Sequence, residues 1–230
     1  HLVSLTDDEM VEYEALSVKI ARLMNQEDED KQDALKMLLI KRARLLNTAA
    51  NKLQALADLI DKEKSIEHTL FYCAPGQIDE VMKLVGWEKG ILINQFTAEE
   101  SPPERQQLLT SFATGNLQAL AAIKCLDEGV DVPSTRTAYF LASSSNPREF
   151  IQRRGRILRK SAGKEHSVIH DLIAIPPVSF AFDSPAFRAE RSIVRRELQR
   201  FKEFSNPALN KHQALDVIWD VASHYGLLDF

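Results

Sequence analysis

A chain of 230 residues, 44% hydrophobic and 27% charged, has enough apolar material for one sizeable core and an appended subdomain, which marks a soluble globular protein. It has no uninterrupted apolar run of about eighteen residues, and residues 1–8 provide neither a basic nor an apolar targeting region, so nothing directs it into a membrane. Its 29 basic and 33 acidic side chains give a net charge of −4, which argues against nucleic-acid binding only if the charge is evenly spread.

The spread is uneven. Acidic residues dominate residues 6–33, whereas seven basic residues fall within 148–164, a candidate phosphate surface on an acidic protein. Cys73 and Cys125 are far apart and have no metal-ligand or disulfide spacing, so a reducing cytoplasm is the expected compartment. The chain starts at His1 without an initiator methionine, from which we expect it to be part of a longer protein.

Thr6 and Glu9 have the spacing of a capping box, with Leu5 and Met10 as the flanking hydrophobic staple, so a helix is predicted to begin here. Met10, Tyr13, Leu16, Ile20 and Leu23 recur at three- and four-residue steps on one face. After the acidic stretch 27–30 a longer helical pattern runs from Leu35 through Leu46, Leu53 and Leu56 to Ile60, making a helical hairpin with the first. From Thr69 the pattern changes to short apolar runs alternating with helices, as in a parallel sheet covered on both faces. Five strands are predicted, at 69–74, 91–96, 118–124, 137–142 and 167–173. Ser101, Pro102 and Glu104 open a helix that stops near Gly115, and Asn146, Pro147 and Glu149 repeat the device. Beyond Pro177 a basic amphipathic helix and a small helical cap are expected.

Two segments carry chemistry. In the helix after Pro147, Gln152, Arg156 and Arg159 stand at i, i+4 and i+7, so an amide and two guanidiniums share one face, with Gly155 allowing close backbone approach. Guanidiniums present fixed forks of donors and stay charged when desolvated, which suits a phosphoryl group, although a solvated basic helix has the same composition. The second segment, 122–133, follows a predicted strand and turns at Gly129, which puts Asp131 at the carboxyl edge of the sheet where ligands bind in such folds.

The run Gln152-Arg153-Arg154-Gly155-Arg156-Ile157-Leu158-Arg159 resembles motif VI of superfamily 2 helicases, and residues 122–133 resemble motif V. Residues 70–74 and 95–99 resemble motif IV and the segment after the next strand, and all four occur in family order. The resemblance is strongest to the DNA-repair and restriction-type branch, whose motif VI begins with Gln. It implies a RecA-like α/β fold of about five parallel strands flanked by helices at 51–177, between the helical hairpin of 1–50 and a helical extension at 178–230. Arg156 and Arg159 are implied as arginine fingers on the γ-phosphoryl group, with Gln152 on the phosphates or the attacking water. Gly129, Asp131 and Glu128 are implied nucleotide contacts, and Thr97, Lys124 and Arg153 nucleic-acid contacts. Ile123 stands where many members have a threonine that touches the nucleic-acid backbone.

No Gly-x-x-x-x-Gly-Lys-Ser/Thr occurs, and no metal ligands are assigned to this chain. ATP with Mg2+ is therefore expected to bind jointly with an upstream RecA-like domain, with DNA as the track in preference to RNA. The chain alone is expected to be inactive. The competing reading is a non-catalytic module of the same fold that binds nucleic acid or protein.

Overall fold

The computed structural model describes residues 1–24, 29–123, 132, 134–142, 164–176, 181–182 and 184–228, without the side chains of 29–31. The chain groups into two compact units: Lys52–Leu172, and His1–Asn51 together with Ile173–Phe230. The two end segments, non-adjacent in sequence, thus share one unit.

The Lys52–Leu172 unit is a five-stranded parallel sheet. Its strands are β2 (Thr69–Tyr72), β3 (Ile93–Phe96), β4 (Ala119–Ala122), β5 (Thr137–Phe140) and β6 (Val168–Asp171), in spatial order β3-β4-β2-β5-β6. All pairings are parallel. Each strand falls within the span expected from its apolar run. Every residue of β2 and β4 is buried, as a sheet covered on both faces requires.

The helix α3 (Asn51–Ile60) buries Lys52, Leu56 and Ile60 at four-residue steps. Between β2 and β3 run α4 (Ile78–Met82) and a π-helical turn, Lys83–Glu88. α5 (Pro102–Ala113) joins β3 to β4. It starts as expected, with the Ser101 amide and hydroxyl donating to Glu104 Oε2 at 2.8 and 2.7 Å. Those two bonds hold the Glu104 carboxyl below its usual range, the hydroxyl contributing most. The chain then reverses at Gly115, whose φ of +80° favours a residue without Cβ.

The other unit contains α1 (Asp7–Leu23), α2 (Glu29–Asn47), α6 (Pro185–Ser205) and α7 (Lys211–His224). The Thr6 box is present, its amide donating to Glu9 Oε2 at 2.9 Å and its hydroxyl accepting from Glu9 N–H at 3.3 Å. Leu5 and Met10 pack in one cluster with Tyr13, Leu46 and Ala49.

Two features depart from the sequence expectation. The long second helical pattern divides into α2 and α3, because buried Ala49 takes the chain through the core and Glu9 Oε1 accepts the Ala50 N–H at 2.9 Å. In addition, β1 (Leu2–Ser4) pairs in parallel with β7 (Ile173–Ile175), joining the two ends of the chain. At the far end Arg191 donates to the Tyr225 and Gly226 carbonyls at 2.7 and 2.9 Å, satisfying acceptors that the end of α7 leaves open.

Candidate nucleotide-facing edge of the sheet

A parallel sheet delivers all its strand ends to one edge, where ligands bind in open α/β folds. The last row here is Phe96, Ala122, Tyr72, Phe140 and Asp171. Immediately beyond it lie Thr97 after β3, Ile123 after β4, Cys73 after β2, Leu141 after β5 and Leu172 after β6. Because β4 and β5 flank β2, Ile123 and Ala142, the last described residues after those strands, stand on either side of that central strand. Two strand spacings separate them, roughly 10 Å.

Gln152, Arg153, Arg156 and Arg159 lie outside the described residues, as do Lys124, Glu128, Gly129 and Asp131. Cys125 and the helix start at Asn146 are also outside them. Thr97 is described and half-buried. Its hydroxyl donates to the Glu100 carboxylate, with Oε2 at 3.0 Å and Oε1 at 3.2 Å, and accepts from the Glu99 N–H at 3.1 Å. Its own N–H also reaches Glu100 Oε2, at 2.5 Å. A phosphate at Thr97 would have to displace that carboxylate. Cys73 is buried with its thiol 3.7 Å from the Phe71 carbonyl, a packing position.

Three polar residues that sequence reasoning did not single out also belong to this edge. Lys52 is 3% exposed, and its Nζ donates to the Leu141 carbonyl at 2.6 Å, one residue beyond β5. Gln77 follows the turn after β2 and is fully buried, with no hydrogen bond at Oε1 or Nε2 among the described residues. An unmatched buried amide costs about 1–3 kcal/mol. Asp171 is buried at the end of β6. Nothing local in the sequence marks Lys52 or Gln77, since both read as solvent-facing residues of helix starts.

On one face of the sheet, Phe71, Tyr139 and His170 stack across β2, β5 and β6, with centroid separations of 5.1 and 4.6 Å. Burial pushes the His170 pKa down and so favours neutral imidazole, although Glu63 Oε1 lies 3.8 Å from Nε2. Burial, and secondarily Glu63, pushes the Tyr139 hydroxyl up out of any physiological range. These rings form one stack across three neighbouring strands of the sheet.

Residues 51–161 match the family described as "Helicase conserved C-terminal domain". A curated relative, DNA 3'-5' translocase XPB2 of Sulfurisphaera tokodaii, is 28% identical over 176 residues, which covers 69% of this chain and 39% of the relative. The chain thus spans about two fifths of that protein's length. Among solved structures, the Sulfolobus solfataricus SWI2/SNF2 ATPase core in complex with dsDNA superposes with a TM-score of 0.65 at 12% identity, over 86% of this chain and 43% of that one. The C-terminal domain of the Sulfolobus solfataricus SWI2/SNF2 ATPase superposes at 0.58 and 12% identity, over 76% and 78% of the two chains. At these identities the two structures speak to the fold alone.

Proposed function

We propose that this chain is the C-terminal RecA-like motor domain of a superfamily 2 helicase or translocase, and that it supplies the arginine-finger half of an ATP site completed by an upstream RecA-like domain. The observation that carries this reading is the strand order. It puts Ile123 and Ala142, which precede the bulk of the segments resembling motifs V and VI, at the same sheet edge on either side of β2. Arg156 and Arg159 are the fingers and Gln152 orients the phosphates or the attacking water. Glu128, Gly129 and Asp131 face the nucleotide. Thr97, Lys124 and Arg153 contact the nucleic-acid backbone, Thr97 only after releasing Glu100.

Arg156 and Arg159 fit anionic oxygens and not a divalent cation, because guanidiniums present N–H groups where Mg2+ requires oxygen ligands. Mg2+ would be held with the nucleotide by the upstream half, where it would neutralise charge on the transferring phosphoryl group. This chain's own work is to bring fixed positive charge to the γ-phosphoryl oxygens as charge develops there. Because those donors are fixed before the reaction, no reorganisation is needed at the moment of transfer.

DNA is the track we favour over RNA. The relative's name, a DNA translocase, and the Gln that opens the motif VI resemblance both support it. We assign the chain to the DNA-repair or restriction-type branch, working in a reducing cytoplasm. A non-catalytic module of the same fold would not require Gln152, Arg156 and Arg159 on one helical face.

The test is made in the longer protein. Arg156→Ala or Arg159→Ala should lower DNA-stimulated ATP hydrolysis by about a thousandfold or more with ATP affinity little changed. Near-normal turnover in both variants would remove the finger assignment. The chain by itself should show no hydrolysis above background, and robust turnover by it alone would refute the missing-half reading.

A further inference from the structure

α3 buries three positions on one stripe, and two of them are the apolar Leu56 and Ile60. Periodicity calls for a third apolar residue at 52, yet the position holds a lysine. Burying an ammonium away from water is unfavourable unless a specific partner holds it, and cores tend to break their own pattern at functional positions.

One partner is a main-chain carbonyl at the end of the β2–β5 ladder. Leu141 and Ala142 both donate to the Tyr72 carbonyl, at 2.9 and 3.3 Å, so that carbonyl is the last acceptor β2 offers to β5. β2 then leaves the sheet through Ala74, Pro75 and a left-handed turn at Gly76, φ +85°. Leu141's carbonyl lies past that last rung, and Lys52 Nζ takes it at 2.6 Å, at the short end for an N–H···O bond and consistent with a charged donor. The ammonium therefore stands in for the missing rung at the point where the chain departs towards 143–163.

We propose that Lys52 is a positioning residue whose buried ammonium fixes the exit of β5 at Leu141 and Ala142, the last described residues before the finger-bearing segment. The consequence for catalysis rests on the reading of Arg156 and Arg159 as fingers. The anchoring of Leu141 does not. Displacing reacting groups by about 1 Å is enough to cost on the order of a hundredfold in rate. An apolar side chain of similar length fills the same stripe, so loss of the anchor is separable from loss of the core.

Lys52→Met is the decisive variant. In this chain, amide exchange at Leu141 and Ala142 should accelerate about tenfold, while Phe71, Tyr72 and Ala121 stay within about twofold and the thermal midpoint is retained. In the longer protein kcat should fall about 10- to 100-fold with KM for ATP within about threefold, and Lys52→Arg, which keeps a charged donor, should recover most of the loss. Unchanged protection at Leu141 and Ala142, or faster exchange spread evenly over the sheet, overturns the proposal and makes Lys52 an ordinary core residue. If the exchange pattern appears but Arg156→Ala and Arg159→Ala keep normal turnover, the anchor stands and the finger reading is what fails. Should Lys52→Met not fold, the wild-type chain still decides the matter. Its Lys52 ammonium should exchange slowly in nitrogen-15 spectra and couple to the Leu141 carbonyl carbon, whereas exchange as fast as a surface lysine's overturns the anchor.

Discussion

The two units bury charge in opposite ways. Among the described residues of the sheet unit, buried charge lies at the strand-end edge, with Lys52 donating to the Leu141 carbonyl and Asp171 at the end of β6. The helical unit instead gathers polar side chains from both ends of the chain into its interior. Arg42 of α2 is 1% exposed, donates to Ser17 Oγ at 3.0 Å and lies 5.7 Å from the centroid of the Tyr13 ring. Glu190 of α6 is equally buried and accepts from the Tyr225 hydroxyl, while its other oxygen has no hydrogen-bond partner among the described residues. The sheet is specified by backbone ladders whose partners are fixed by register. The helices can slide past one another, and buried polar pairs are one way to fix their alignment at some cost in stability.

The largest effect should come from breaking that helical cluster. Arg42→Ala removes the cation over Tyr13, leaves Ser17 without its donor and opens a void, a combination expected to cost about 3 kcal/mol or more. Denaturant unfolding measures the loss, and amide exchange locates it: α1, α2 and α6 should lose protection and β2, β4 and β5 should keep theirs. Equal loss in the sheet would erase the distinction between the units.

The same contrast explains what the sequence made legible. Every strand of the sheet follows from a short run of local residues, such as 69–74 for β2 and 137–142 for β5, bounded by turn and cap signals. Strand order is not local and had to come from the structure. β1 and β7 escaped because three residues are too few to show alternation, and their pairing joins opposite ends of the chain. The association of α1 and α2 with α6 in one unit has no local sequence signal either, because its determinants, Tyr13, Arg42 and Glu190, lie far apart in the chain. In the candidate site, Gln152, Arg156 and Arg159 stand out from their i, i+4 and i+7 spacing alone and lie outside the described residues. Lys52 does not stand out, since a lysine beside Asn51 at the start of an amphipathic helix reads as solvent-facing. Its bond to the Leu141 carbonyl at the end of the β2–β5 ladder is visible only in the structure.

A smaller effect should appear on titration. Burial pushes the Glu190 carboxyl up from 4.5 to about 7, opposed by the Tyr225 hydrogen bond and Arg42 and reinforced by Glu14. The folded unit thus holds this proton more tightly than the unfolded chain. Stability is greatest below about pH 4.5, falls as pH rises towards 7, and above that no longer changes on this group's account. Across the window the loss should be on the order of 1 kcal/mol per pH unit. Glu190→Gln should flatten this part of the profile, measured by denaturant midpoints from pH 4.5 to 8, and a slope unchanged in that variant would assign the dependence elsewhere.

The smallest expected effect tests whether the two units also use the same local motif differently. Both have a Ser/Thr–Glu capping box, but the carboxylates are not equivalent. Glu104 bonds only Ser101 and is solvent-exposed, so its removal disturbs one helix start. Glu9 uses one oxygen for the Thr6 amide and the other for the Ala50 amide, which ties the start of α1 to the break between α2 and α3. Glu9→Ala should therefore cost about 1–2 kcal/mol, a cap and a tertiary bond together, and Glu104→Ala distinctly less. Thr6→Ala separates the two contributions of Glu9, because it removes the side-chain cap and leaves the Ala50 bond in place. If Thr6→Ala and Glu9→Ala shift the unfolding midpoint equally, the Ala50 bond contributes nothing measurable. The division of the long helical pattern would then rest on the burial of Ala49 alone.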